Sequence, residues 1–327
     1  MPHPIPHLLP PEIVKRSVWE DRHERRVNNW ITPWDFREPI DVGIVMVPLS
    51  KTSILPTGCH GAPNALRQAF QLNTTYSPDY DVDMTPLRVR ELGEIGGHTT
   101  DTLLSLRMIE EAATAVFAHD PPFFPVFVGG DHAVTAPLVR GWLRARPGIR
   151  LGIIHFDAHN DVRHLDDDGP SNGTPIRQAM QAGVPGSRIV QLGIHGWMNS
   201  RFYKEYALGQ GITIFTARQV RTLGIEHVVK EALRIAGSGT DAVYLTVDID
   251  VLTFPYGIGT GASSPEGMTP YELLDAMFLL GQDPRVRCFD LVEIDPTRDV
   301  AGMTAKTGAA TLLTFLGGLH TRLSRPT

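Results

Sequence analysis

Along this chain, short continuous apolar runs alternate with longer stretches in which apolar residues recur every three or four positions. The runs cover residues 41–48, 89–95, 123–128, 149–156, 188–194, 212–215, 241–247 and 286–294. They are apolar on both faces, as strands buried on two sides must be. The helical patterns between them cover 62–70, 100–118, 133–144, 175–181, 216–222, 225–236, 269–281 and 307–323. Strand and helix in alternation predict a three-layer α/β/α fold around a central, mostly parallel, doubly wound sheet. Residues 1–40, with Trp19, Trp30 and Trp34 among many charges, form an arm that packs on a neighbouring subunit or on its own domain. Residues 41–327 form one domain, with no internal repeat and no linker.

The polar residues that interrupt this pattern gather at three run ends. Asp157, His159 and Asp161 recur at every second position after the run ending at Phe156. In extended backbone such side chains point the same way and can converge. Asp248 and Asp250 repeat that spacing, and the run 123–128 delivers Gly129-Gly130-Asp131-His132. In parallel sheets, ligands bind beyond the carboxyl ends of the strands, where all three groups fall. A single Asp-x-Asp after a strand is more often a cap than a ligand pair. Three groups together imply a cation, because buried unpaired carboxylates repel one another. His132, Asp157, His159, Asp161, Asp248 and Asp250 are too many donors for one tetrahedral ion and suit two divalent ions. Carboxylates with imidazole favour Mn²⁺, Ni²⁺, Fe²⁺, Co²⁺ or Zn²⁺ over Ca²⁺, and no thiolate is present to make a structural zinc site.

Composition narrows the classes further. A net charge of −6 gives nucleic acid and anionic membrane no purchase. Cys59 and Cys288 are too few for a disulfide framework and suit a reducing cytoplasm. The Pro-rich start lacks the apolar core of a signal peptide, and no apolar stretch reaches the roughly 18 residues of a membrane span. The expectation is a soluble cytoplasmic protein. Gly257-Ile258-Gly259-Thr260-Gly261 looks like a dinucleotide loop, yet it neither leaves a strand nor opens into a helix. It reads better as a small-residue loop beside the metals.

These motifs resemble those of the ureohydrolases, the arginase and agmatinase family. Gly61-Ala62-Pro63-Asn64-Ala65-Leu66-Arg67, Gly129-Gly130-Asp131-His132, the run His155 to Asp161, Asp248-Ile249-Asp250 and Val292-Glu293-Ile294-Asp295-Pro296 occur in the family's order. The stretch 75–83 leans toward the agmatinase branch. The resemblance implies one ion on His132, Asp157, Asp161 and Asp248, and another on Asp157, His159, Asp248 and Asp250, with Asp157 and Asp248 bridging. Mn²⁺ is the first expectation and Ni²⁺ the second. It further implies attack of a metal-bridging hydroxide on a guanidinium carbon, releasing urea and an amine. Asp161 would pass a proton to the leaving nitrogen and Glu293 would pair with the guanidinium. A homotrimer or homohexamer, or a hetero-oligomer with a paralogue, is the implied assembly.

The chain departs from the family at three places near the expected pocket. Asn172 replaces a family His in Ser171-Asn172-Gly173-Thr174, and cannot shuttle a proton at neutral pH. The loop 257–263 lacks the usual Thr-Pro ending, and His195 stands where relatives carry Arg. Asn172, Glu293 and His195 are therefore the expected substrate contacts. The departures leave room for an atypical substrate such as guanidinobutyrate, guanidine or metformin, or for a non-catalytic partner subunit. A single-zinc deacetylase-like enzyme is disfavoured, since its acid/base chemistry needs an adjacent His pair that this chain lacks.

Overall fold

The computed structural model describes residues 4–10, 16–19 and 21–325; residues 1–3 of the Pro-rich start and the last two residues lie outside them. Its strands are β1 (Leu8–Leu9), β2 (Thr32–Pro33), β3 (Val42–Val47), β4 (Tyr76–Ser77), β5 (Val82–Asp83), β6 (Val89–Ile95), β7 (Phe124–Gly129), β8 (Leu151–Phe156), β9 (Ile189–Ile194), β10 (Thr213–Thr216), β11 (Ala242–Asp248) and β12 (Val286–Val292). The central sheet runs β1-β6-β3-β7-β12-β11-β8-β9-β10, with β2 also paired to β6. Only the β1–β6 pair is antiparallel in it.

Alternation along each strand divides the interior in two. Val42, Ile44 and Met46 of β3 enter one core, while Val45 and Val47 enter the other. The same holds in β12, where Phe289 and Leu291 face one side and Cys288 and Val292 the opposite. Helices Thr102–Ala118 and Thr135–Ala145 pack together over one face, and Pro270–Gln282 packs with Met303–Leu323 over the other. The three-layer α/β/α arrangement is the one the apolar pattern implies.

Some elements refine the sequence reading and others differ from it. The arm is stitched to its own domain: Leu8 and Leu9 register against Ile95 and Glu94, and Ile5, Leu8, Trp30 and Trp34 are buried. Trp30 gives its indole N–H to the Leu87 carbonyl at 3.1 Å, whereas Trp19 is exposed. Helix Arg201–Gly209 was not anticipated, because it buries only Ala207 and so carries no apolar stripe. The last helix starts at Met303, not 307, since Asp299 accepts the Thr304 and Ala305 N–H groups and caps it earlier. The stretch 75–83 forms the hairpin β4–β5. Among the described residues, no helix is long and apolar enough to cross a membrane.

Candidate metal centre

The sheet order places β7, β12, β11 and β8 side by side, so four chain segments leave their carboxyl ends at one spot. Beyond β7 the chain turns at Gly130, where a Cβ would stand 1.6 Å from the Leu49 carbonyl oxygen; only glycine permits that approach. Asp131 and His132 follow. β8 delivers Asp157, His159 and Asp161, β11 ends on Asp248 with Asp250 two residues on, and β12 leads into Glu293. Asp161 and Glu293 adopt positive φ, 53° and 65°. Non-glycine residues there cost backbone strain, which local packing must hold.

The six residues singled out by sequence converge. His132 Nδ1 lies 3.0 Å from Asp161, 3.1 Å from Asp157 and 3.3 Å from Asp248, each through an Oδ2. It is buried and makes no hydrogen bond that meets geometric criteria. His159 Nδ1 lies 3.2 Å from Asp157 Oδ1 and 3.0 Å from Asp250 Oδ2. Asp157 therefore turns one oxygen to each group, as a bridging carboxylate must. Asp248 Oδ1 accepts the Asp250 N–H at 2.8 Å, as Asp157 Oδ1 accepts the His159 N–H, and Asp248 Oδ2 faces His132. An orphaned imidazole nitrogen facing three carboxylate oxygens is the donor set of a divalent ion, so these residues fit the metal pair that the motifs imply.

Electrostatics agree. Burial, then the charges of Asp250 and Asp157, push Asp248 well above the usual carboxylate range. Burial and Asp157 raise Asp161. Asp157 goes the other way: burial opposes it, but His155, His132 and His159 together hold it well below. For His132, burial is outweighed by the nearby carboxylates of Asp157, Asp161 and Asp248, which raise its pKa. Carboxylates this perturbed in a cavity mark a functional site.

A second ring of residues holds these groups, and sequence reasoning passed over most of it. His155 Nε2 donates to Asp157 Oδ2 at 2.7 Å, while Gln191 Nε2 meets its Nδ1 at 3.1 Å. Gln191 also donates to the Asn160 carbonyl and accepts from the Asn160 amide, which fixes all three. Asp131 is not a ligand. It accepts from Thr52 N–H and Oγ1–H and from Ser53, tying loop 50–57 to the strand end. Glu293 takes His132 N–H at 2.8 Å and Asn172 Nδ2 at 3.0 Å on Oε1, and Cys59 Sγ at 3.3 Å on Oε2. Burial, then the charge of Asp131, pushes Glu293 up to about 7. Asn172 also accepts Ile54 N–H at 3.0 Å. It thus clamps Glu293 to the loop over the site.

The cavity beside the cluster has a volume of about 410 Å³ and is lined by His159, Asp161, Asn172, Asp248, Asp250 and Glu293 from the expected set. That size suits an amino-acid-sized substrate with water. His195 is not among the lining residues. Its Nδ1–H is folded back on the Gly193 carbonyl at 2.6 Å, and its Nε2 is buried without a hydrogen-bond partner. Thr260 joins the lining, 3 % exposed with its Oγ1 unpartnered. Arg163 is the one Lys or Arg in the lining. Its guanidinium stands 6.0 Å over the Tyr203 ring, and no described carboxylate lies within ion-pair distance. Gly173 makes room, since a Cβ there would meet Arg163 Cδ at 2.6 Å. Nothing in the sequence pattern sets Arg163 apart from a solvated surface Arg. The hairpin β4–β5, which suggested agmatinase, lines a different cavity with Tyr271 and Phe278 and carries no information about this one.

Comparison with known proteins gives a consistent result. The arginase family profile matches residues 40–317. A formimidoylglutamase of Halalkalibacterium halodurans is 36% identical, over 91% of this chain and 93% of that protein. The crystal structure of formimidoylglutamase from Bacillus subtilis superposes with a TM-score of 0.88 at 32% identity, covering 93% of this chain and 94% of that one. A guanidinopropionase of Pseudomonas aeruginosa is 33% identical, over 86% and 88%.

Proposed function

The chain belongs to the arginase family of binuclear amidinohydrolases, and on that premise we propose that it cleaves the amidine C–N bond of a small substrate with an anionic tail, an N-formimidoyl amino acid. Water adds to the amidine carbon, the bond to the amino nitrogen breaks, and formamide and an amino acid leave. Two divalent ions, when bound, supply a nucleophilic water at neutral pH. Mn²⁺ is our first assignment and Ni²⁺ the second, from the carboxylate and imidazole donors.

The chain's residues account for the remaining work. Glu293 pairs with the amidinium N–H groups. Its orientation is fixed by His132 N–H, Asn172 and Cys59, so it meets the substrate already placed. Asp161, at the cavity wall, carries a proton to the departing nitrogen. Asn172 spends both ends of its amide on Glu293 and Ile54, so its part is to position rather than to shuttle protons. Thr260 offers a free hydroxyl to the substrate.

The observation that carries the choice of substrate is Arg163. This exposed guanidinium, unpaired among the described residues, stands at the cavity wall, where it attracts a carboxylate and repels the ammonium tail of agmatine. The formimidoylglutamase relatives support the same reading, and the agmatinase-like expectation gives way to it. A guanidino acid such as 3-guanidinopropionate is the second reading, favoured by the guanidinopropionase likeness. The test is a panel of N-formimidoyl-L-glutamate, 3-guanidinopropionate, 4-guanidinobutyrate, arginine and agmatine, scored for formamide or urea. Arg163→Met should raise KM for the anionic substrates about tenfold and leave agmatine unharmed. Efficient agmatine turnover by the wild-type chain, with no loss in Arg163→Met, would defeat the assignment.

A further inference from the structure

One buried carboxylate lies behind the metal centre and takes no part in the chemistry above. Asp290, in the middle of β12, is fully buried and does not line the cavity. Its Oδ2 accepts Tyr244 OH at 2.6 Å and Thr135 Oγ1 at 2.7 Å. Thr246, its direct neighbour across the β11–β12 register, reaches it through Thr135: the two threonine hydroxyl oxygens stand 3.4 Å apart. Thr246 Oγ1 in turn stands 2.9 Å from His132 Nε2. The residues that carry this chain of contacts, Tyr244, Thr135, Thr246, Asp290 and His132, are all fully buried. Packing alone does not explain a carboxylate there, since an apolar residue would fill the space without the cost of desolvation.

We propose that Asp290 is a positioning residue for the metal centre, setting the tautomer and ring orientation of His132 through the hydroxyls of Thr135 and Thr246. The inference rests on the reading that the cluster holds two divalent ions. The proton count leads to it. Tyr244 and Thr135 each have one hydroxyl proton, and both go to Asp290. Thr135 then has no second proton to give, so in its contact with Thr246 the Thr246 hydroxyl is the donor. Thr246 then presents a lone pair to His132, and Nε2 must carry the hydrogen. Nδ1 is left bare, and Nδ1 is the atom that faces Asp157, Asp161 and Asp248. Without the carboxylate, the Thr246 proton is free to turn toward Nε2, and the competing tautomer puts a hydrogen where the cation should be. A ligand His fixed by a partner on its other nitrogen is a general requirement of metal sites.

Only one ion should feel this, because His159 and Asp250 on the other side make no contact with Thr246 or Asp290. The test is Mn²⁺ titration of the chelator-stripped chain by equilibrium dialysis, for wild type, Asp290→Asn, Thr246→Val and the double variant. Thr246→Val keeps the volume and severs the link, so it serves even where Asp290→Asn fails to fold. One of the two binding steps should weaken by about 10–100-fold in each single variant, and the other should not move. The double variant should be no worse than either single one. Thermal unfolding of the stripped chains gives the second readout. Both affinities within twofold of wild type, with or without a lower Tm, would assign Asp290 to packing and overturn the proposal. Equal weakening of both steps would do the same. A wild-type chain that takes up no ion would overturn this proposal and the functional reading together, whereas two intact wild-type steps unchanged by Thr246→Val would overturn this one alone.

Discussion

Two of the groups of acidic residues buried in this molecule are held down by different means. Glu91 and Glu94 on β6 share Arg67 from helix Ala62–Ala69. Glu94 lies 2.6 Å from its guanidinium, Glu91 is also paired to it, and Arg67 is 4 % exposed. Asp157, Asp161, Asp248 and Asp250 have no such partner: among the described residues, only histidines face them. A buried carboxylate must be neutralised, and the chain supplies the counter-charge itself in the first place and leaves it to come from outside in the second. The first group is architecture, complete when the chain folds. The second is a receptor for cations.

The sharpest way to break the comparison is Asp248→Asn with the metals present. kcat/KM should fall at least about a thousandfold, roughly 4 kcal/mol, with loss of bound metal. The stripped variant should melt no lower than stripped wild type, because a mutually repelling carboxylate has gone. Retained activity would mean that the cluster is not the site. Arg67→Met attacks the other group. It strands two buried carboxylates and should cost about 3–5 kcal/mol of stability in urea unfolding. Mn²⁺ should stabilise this variant no more than it stabilises wild type; a larger effect would show that the two groups are linked.

Glu293→Gln separates substrate charge from metal charge. It should lower kcat/KM by about 2–4 kcal/mol with metal content unchanged. Loss of metal would instead make Glu293 a support for His132, whose N–H it accepts. The smallest effect concerns pH. With no cation bound, Glu293 is raised from 4.5 to about 7, and Asp161 and Asp248 are raised as well. An acid with a raised folded pKa stabilises the fold below its unfolded pKa, and that contribution is lost as pH rises through the folded value. His132 and His159 are raised and lose their contribution in the same direction. Asp157 is depressed, and its contribution is already complete above about pH 4. The stripped chain should therefore lose stability between about pH 5 and 8, with Glu293 accounting for at most about 3 kcal/mol. Divalent ions should flatten or reverse that slope. A stripped chain that grows more stable toward pH 8 would contradict the charge arrangement.

Much of the site was legible because it obeys the period of a strand. Asp157, His159 and Asp161 share a direction by backbone geometry alone, and strand ends in a parallel sheet put them beside Asp248 and His132. What was not legible depends on contacts between residues far apart in sequence. Asn172 could not be recognised as the clamp between Ile54 and Glu293, nor Asp131 as the anchor of loop 50–57. Arg163 follows two residues after Asp161, yet its placement at the cavity wall depends on Tyr203 and on the bare Gly173. His195 shows the same limit, since its position in sequence does not reveal that Nδ1 turns back to the Gly193 carbonyl on its own strand. The same limit applied to the arm, whose pairing with β6 rests on two residues of strand.

The order of strands in the sheet also has a meaning in time. β12 lies between β7 and β11, although it is the last strand to be made. His132 follows β7, whereas Asp157 and Asp248 follow β8 and β11, so the two sides of the centre meet only across a strand that begins at Val286. During synthesis at roughly 5–20 residues per second, the nascent chain carries its aspartates for many seconds with no place to assemble them. A chain ending at residue 283 would contain all six metal-binding candidates and still lack the strand that joins them. The strands that carry the cluster are therefore joined into one sheet only once the C-terminal strand has taken its place between them.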